Sequence, residues 1–377
     1  MNKVFLTFAI LICGIPFSIL IFNQPDIWHG QGHFFQIGIL VLLAFSFMDK
    51  PKQVQVMNKP LGSLFLWLGA LTSYTWIKVL IISNNYPVKV LLPFLNFFCF
   101  VIFYKLSIEY LDKERIEKIL LYFKYSVLGI LLYCVLQVLG LDQFLRGLSQ
   151  HDELVGTIGN SSHLAGYLAL CQPLFFEKTR LNILSLILLW LIIFTCNSAS
   201  GVITGIFVLL FWLLTTKGYL FAGIIAGVSL IGALLMLNSN FFTDNHRFEM
   251  WRILLPNFLK KPITGGGLGI LNIWALPLKS VVSVFRHAHL EYYQVAIEAG
   301  LIGLGLVLWC IYDYFKSFGM LKTSLTIKLA SIFFGFCVLG LFTFSAHLWL
   351  ISILGIISYS WLYVLKNEVI NVSNNAR

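Results

Sequence analysis

Twelve continuous apolar runs, most of them joined by short polar connections, leave this chain few ways to fold. They fall at about 4–22, 34–48, 61–82, 88–108, 119–140, 163–176, 181–196, 201–216, 219–237, 291–312, 325–345 and 348–365. A helix of about 20 residues spans the roughly 30 Å hydrocarbon core of a bilayer, and in lipid only helices and closed barrels satisfy every backbone group. The runs do not alternate in polarity as barrel strands do, so each reads as a helix. With 59% hydrophobic and 11% charged residues among 377, and a mean hydropathy of +0.86, the chain lies far outside soluble composition. The expected fold is an all-α polytopic membrane helix bundle of about 12 transmembrane helices, a single transmembrane domain over residues 1–377. The second and sixth runs are short for the core and are expected to be thin, tilted or partly re-entrant. Val4 to Phe22 has the hydrophobicity of a signal peptide, but no small-residue cleavage site leads into a secreted domain, so it reads as a retained span.

Charge placement sets the orientation. The net charge of +10 is spread over many loops, which argues for topology and against a nucleic-acid partner. Connections after the even-numbered runs, and both termini, carry Lys3, Lys50, Lys52, Lys59, Lys113, Arg115, Lys118, Lys178, Arg180, Lys217, Lys316, Lys322, Lys366 and Arg377. The opposite short loops carry little beyond Lys89 and Arg146. By the positive-inside rule both termini face the cytoplasm across the cytoplasmic (inner) membrane. The seven cysteines lie inside apolar runs without paired spacing and read as small buried hydrophobes, not as a disulfide framework or a metal site.

One connection breaks the pattern. Residues 238–290 form a long external loop between the ninth and tenth runs, and loops of this length usually carry function. From Thr243 or Asp244 to Lys261 the loop reads as an amphipathic helix kinked at Pro256. Phe248, Trp251, Leu255 and Phe258 form its apolar stripe, with Arg247, Glu249 and Arg252 off it. Such a helix lies on the membrane interface, where its arginines meet either lipid or a phosphate-bearing ligand. The glycine cluster that follows, Pro262 to Gly269, lacks the strand and lysine of a nucleotide-binding loop and reads as a tight turn back to the membrane. At the loop's end stand Arg286, His287, His289 and Glu291, with a helix expected to begin near His287 and to bring His289 one turn from Tyr293. Histidines here suit general-base chemistry, or simply end a helix at the interface. Zinc is a weak reading for His287, His289 and Glu291, because spacings of two and four residues do not converge on a helix. No Asp-x-Asp pair in the external loops offers a cation to a diphosphate, so arginines are expected to neutralise one.

Three segments point further. Gly156 to Leu168 contains Gly-x-x-Gly-Asn, ending at Asn160, then His163 and a Leu-Ala pair. Arg247 to Gly269 combines an Arg and Trp helix, a proline and Gly-x-Gly-x-Gly. His289 is followed by Glu298, Gly300 and Gly303. In this order the chain resembles the O-antigen ligase and polymerase superfamily, over roughly residues 150 to 310. It departs from the family pattern at Leu290, where Asn, Ser or Gln is usual, and at Asn197 to Gly201, where many members have an arginine.

The resemblance implies a GT-C-like, metal-independent inverting glycosyltransferase without cofactor, acting in polysaccharide and lipopolysaccharide synthesis of the cell envelope. Its donor would be a glycan on a polyprenyl (undecaprenyl) diphosphate, its acceptor a lipid or glycan hydroxyl, and its site would face outward among membrane lipids. His289 would be the base, since it alone has the motif's distance to Gly300 and Gly303. His287, Glu291 and Glu298 would support it, Arg247, Arg252 and Arg286 would hold the diphosphate, and Asn160 and His163 would belong to a second loop at the site. A ligase is the first reading, with a repeat-unit polymerase or a protein O-oligosaccharyltransferase as alternatives. A transporter or flippase is the reading from another class, and it would require internal repeats and paired mid-membrane charges. No repeat is evident, and Lys78, Lys124 and Lys328 lie near the ends of their runs.

Overall fold

The computed structural model describes residues 3–18, 27–48, 58–82, 87–142, 154–216, 247–270, 288–343, 346 and 348–375. Among these residues all regular structure is helical and no strand occurs. The helices are α1 (Lys3–Gly14), α2 (Ile27–Ser46), α3 (Lys59–Ile82), α4 (Pro87–Tyr110), α5 (Lys113–Val138), α6 (Ser161–Cys171), α7 (Arg180–Thr195), α8 (Ala199–Thr216), α9 (Arg247–Lys260), α10 (Glu291–Gly319), α11 (Ser324–Leu339) and α12 (Trp349–Asn375). Each apolar run contains one of these helices except the ninth, 219–237, which lies outside the described residues; α9 is the helix of the long loop. Among the described residues α5, α8, α10 and Leu350–Ile370 within α12 are long and apolar enough to cross a membrane, and the chain is a helical, multi-pass membrane protein.

Local sequence explains several helix starts. Asp112 accepts from the Arg115 amide at 2.9 Å, Thr179 from Asn182 at 3.2 Å, and Thr323 forms a reciprocal capping box with Thr326. The second run is short as an apolar stretch, His33–Ser46, but α2 continues back to Ile27 through the polar stretch around Gln31, because a helix ladder closes on backbone groups whatever the side chains are. The sixth run does give a short helix. α6 has 11 residues, then a 3-10 turn over Gln172–Phe175 where Pro173 removes an amide. Every side chain from Leu164 to Cys171 is buried, so protein rather than lipid covers this helix.

Small residues allow the close crossings. A Cβ added to Gly201 of α8 would stand 2.4 Å from Ala165 Cβ of α6, and one added to Gly335 of α11 would stand 2.4 Å from Val208 Cγ2. Such approaches let backbones pack where lipid supplies no hydrophobic drive between helices.

The bundle has two distinct ends. At one, Lys113 N donates to Glu368 Oε1 at 3.0 Å, Tyr110 Oη to the Ser46 carbonyl at 2.8 Å, and Lys366 Nζ to Ser317 Oγ at 3.0 Å. Lys124 and Lys328 both pair there with Glu177, in the connection between α6 and α7. Nearby, Asp313 of α10 accepts from Asn58 Nδ2 at 3.3 Å and from the Tyr363 hydroxyl, in an aromatic cluster with Tyr104 and Tyr359. At the other end the starts of α2, α6, α10 and α12 meet.

Candidate active site

The start of α10 is built differently from the expected helix near His287. The helix begins at Glu291, and Leu290 is its extended N-cap, with no side-chain cap bond. His289 lies before the helix in the left-handed region, φ 51°. The expected one-turn pairing of His289 with Tyr293 on a helix face is therefore absent; Tyr293 instead donates to the Trp251 carbonyl at 3.1 Å. A non-glycine residue pays about 1–2 kcal/mol for this backbone, and histidine is among the types that tolerate it better.

Neighbouring elements hold it there. The Ala288 amide donates to Gln294 Oε1 at 3.1 Å, and the Ala288 carbonyl accepts from Trp251 Nε1 of α9 at 2.7 Å. On the other side, the Glu291 amide donates to the Gly340 carbonyl at 2.8 Å and the Thr343 carbonyl at 3.2 Å. The peptide groups flanking His289 are thus fixed by α9, α10 and the segment after α11. Gln294 is in turn held by Glu298, which accepts from its Nε2 at 3.3 Å. Glu298 and Gln294 are both buried, and Glu291 Oε2 accepts from the Ala346 amide at 2.9 Å. Glu298 therefore stands behind His289 through Gln294. Gln294 had no motif to mark it; its one signal was its place one turn after Leu290, where a long amide reaches back to a helix start.

Beneath this start, α10 is broken. Gly300 has φ 72° and ψ −175°, a backbone region that only glycine occupies readily. The glycine turn repairs the break: Gly266 N donates to the Ile297 carbonyl at 2.8 Å and Gly267 N to Glu298 at 2.9 Å. Leu301 N and Ile302 N donate to the carbonyls of Pro262 and Ile263 at 2.8 and 3.3 Å. Trp67 Nε1 of α3 takes the Ala299 carbonyl at 3.0 Å. Expected as a simple return to the membrane, Pro262 to Gly269 is a turn, with positive φ at Gly265, Gly267 and Gly269, that also substitutes for the missing helix bonds of α10. A Cβ on Gly265 would fall 2.4 Å from the Glu298 carbonyl oxygen, which is why the contact demands glycine.

α9 supplies the wall, and its buried face differs from the expected stripe. Met250 and Leu254 are buried with Ala288 and Ile297, and Trp251 and Phe258 pack against them, whereas Leu255 is exposed. The docking surface is the start of α10, and it takes Met250 and Leu254 together with Trp251 and Phe258 of the expected stripe, leaving Leu255 outside. Pro256 sits inside α9, which continues through it to Lys260. Arg252 is exposed on α9. The Arg247 side chain, Phe248 and Glu249 side chains, Arg286, His287 and the Thr243 or Asp244 cap all lie outside the described residues.

The second loop arrives from α6. Gly156 and Gly159 have positive φ, Gln137 Oε1 accepts from the amides of Val155 and Gly156, and Asn160 caps α6 by accepting from His163 N at 3.1 Å. The Gly-x-x-Gly-Asn pattern is thus a turn followed by a helix cap. His163, half-buried in the first turn, comes within electrostatic reach of His289, so positive charge on one disfavours it on the other. Among the described residues no three of His, Cys, Asp and Glu converge as a metal-ligand set.

Residues 184–308, about a third of the chain, match the family model for O-antigen ligase. The match is to a domain model and is a likeness of this segment to that family. The segment runs from α7 into α10 and so includes α9, the glycine turn, His289, Glu298, Gly300 and Gly303, but not His163. No curated protein matches the chain.

Proposed function

We propose that the protein transfers a glycan from a polyprenyl-diphosphate donor to an acceptor hydroxyl at the outer face of the cytoplasmic membrane, as an O-antigen ligase-type, metal-independent, inverting glycosyltransferase. The supporting observation is His289, which lies within the segment matched to the O-antigen ligase family, is held in a strained backbone conformation by three separate elements, and has His163 within electrostatic reach. His289 takes the proton of the acceptor hydroxyl as its oxygen bonds to the anomeric carbon, and the bond from that carbon to the diphosphate oxygen breaks with its electron pair. Polyprenyl diphosphate leaves, and the single displacement inverts the anomeric configuration. Arg247, Arg252 and Arg286 of the long loop hold the diphosphate and stabilise its growing charge. Glu298 and Gln294 position His289, and Glu291 ties its helix to the α11–α12 connection.

The external loop 238–290 is in this reading part of the active site, and both termini are cytoplasmic, in keeping with the basic residues gathered at the end away from His289. His289→Ala in proteoliposomes is expected to lower transfer by about 100-fold or more with insertion unchanged. Undiminished transfer by the inserted variant would refute the assignment, and loss of activity on adding a chelator would refute metal independence.

A further inference from the structure

A narrow cavity opens beside His163, lined by Gln31 of α2, Ile158 and His163 at the start of α6, and Leu348, Leu350 and Ile351 at the start of α12. Its roughly 260 Å³ of empty space includes the open mouth, and the enclosed part takes only a group about the size of one water. One hydroxyl-bearing corner of a sugar fits where a ring does not. Gln31 is 7% exposed, and its Nε2 has no hydrogen-bond partner among the described residues. Burying an amide donor without an acceptor is costly, and such exceptions in folded proteins call for a reason.

We infer that this cavity is an acceptor subsite that takes one sugar hydroxyl, with Gln31 Nε2 donating to its oxygen beside His163. The inference rests on glycosyl transfer at His289. The chemistry of the walls favours a neutral group: one amide donor and one imidazole stand among four aliphatic side chains, and among the described residues no arginine or lysine lines the space. A diphosphate would be desolvated here without a counter-charge, whereas a sugar presents a hydroxyl beside an apolar C–H face. The position agrees with the acceptor rather than the donor. α2, α6 and α12 build the cavity, whereas the basic-loop helix α9 packs on the start of α10, so the two approach His289 on different elements. All six lining residues also lie outside the segment matched to the O-antigen ligase family, as expected if that segment carries the shared transfer chemistry and the rest of the chain selects the acceptor.

The test uses the full chain in proteoliposomes with a lipid-linked glycan donor, short alkyl glycosides as acceptors, and monodeoxy analogues of those glycosides as competitors. Gln31→Leu is expected to raise the acceptor KM about 10-fold, the worth of one hydrogen bond, with donor affinity and kcat little changed. One monodeoxy analogue is expected to compete about 10-fold less well than its parent in the native protein and equally well in Gln31→Leu. A native acceptor KM in Gln31→Leu overturns the inference. So does a native protein that binds every monodeoxy analogue as well as its parent, a result that stands even if the variant does not fold. His289→Ala separates the two readings: retained transfer refutes the base, whereas loss of transfer in His289→Ala beside unaltered acceptor behaviour in Gln31→Leu refutes only the subsite.

Discussion

Two histidines enter the same site at the heads of two helices, and the chain prepares them in opposite ways. His163 sits inside the first turn of α6 under an ordinary cap, with Asn160 accepting its own amide, and the helix below it is unbroken to Cys171. His289 sits outside α10, in left-handed backbone, ahead of an N-cap leucine that bonds nothing through its side chain, and α10 is interrupted at Gly300. The first arrangement is local and close to self-sufficient. The second exists only because Trp251, Gln294, Gly340, Thr343 and the glycine turn meet it from elsewhere. The difference teaches that in this site strain and remote support go together, as they should if a backbone conformation costing energy is retained for what it aims.

The contrast can be broken most severely at Gly300. Its Cβ in Gly300→Ala would stand 2.1 Å from the Ile263 carbonyl oxygen, against backbone that cannot swing aside, in addition to the left-handed penalty. A loss of about 3 kcal/mol or more in stability is expected, together with loss of transfer, measured by thermal unfolding in detergent and by glycan transfer. A variant with native stability would show that the turn does not brace α10. Gln294→Leu tests the support more gently. Removing the acceptor of the Ala288 amide should cost about 1–3 kcal/mol and lower kcat about 10-fold, with donor KM unchanged. If kcat stays native, His289 is held well enough by Trp251 and Glu291 alone.

At the self-sufficient helix the expected effect is smaller. Asn160→Ala should cost about 1 kcal/mol, the worth of a cap, with little change in transfer. A loss of transfer comparable to that of His289→Ala would make Asn160 part of the chemistry and erase the contrast. Smallest of all is Glu177, at the far end. The hydrogen bond from Lys328, helped by the charges of Lys328 and Lys124 and the amide of Asn182, holds its carboxyl below the usual carboxylate range despite partial burial. A depressed carboxyl stabilises the fold at pH above its unfolded value, and the contribution is lost as pH falls through the lower folded value. With the Glu177 side chain 54% exposed, solvent screening keeps this to about 0.5 kcal/mol or less. Glu177→Gln should therefore flatten the acid limb of the pH-stability curve slightly and leave transfer alone; an altered transfer rate would couple the two ends.

The helices were legible because apolar runs report them directly, whereas Asn160 was read only as part of a motif and its role as helix cap came from the structure. The glycine cluster was legible as a turn through the φ freedom of Gly265, Gly267 and Gly269. Its partner was not, since the bonds from Gly266 and Gly267 to Ile297 and Glu298 join segments more than thirty positions apart and leave no periodic trace. For the same reason Leu255 was misplaced on α9: amphipathic periodicity identifies a helix but not the surface against which it docks.

By itself the sequence determined a helical membrane chain and an O-antigen ligase resemblance, because hydropathy and motif spacing act along the chain. Only the tertiary structure decided that His289 precedes its helix, that Glu298 is linked through Gln294 to the amide of Ala288 next to it, and that Gln31 and His163 line one cavity. Those facts depend on hydrogen bonds and burial between remote segments, and their free energy exists only once the helices have packed.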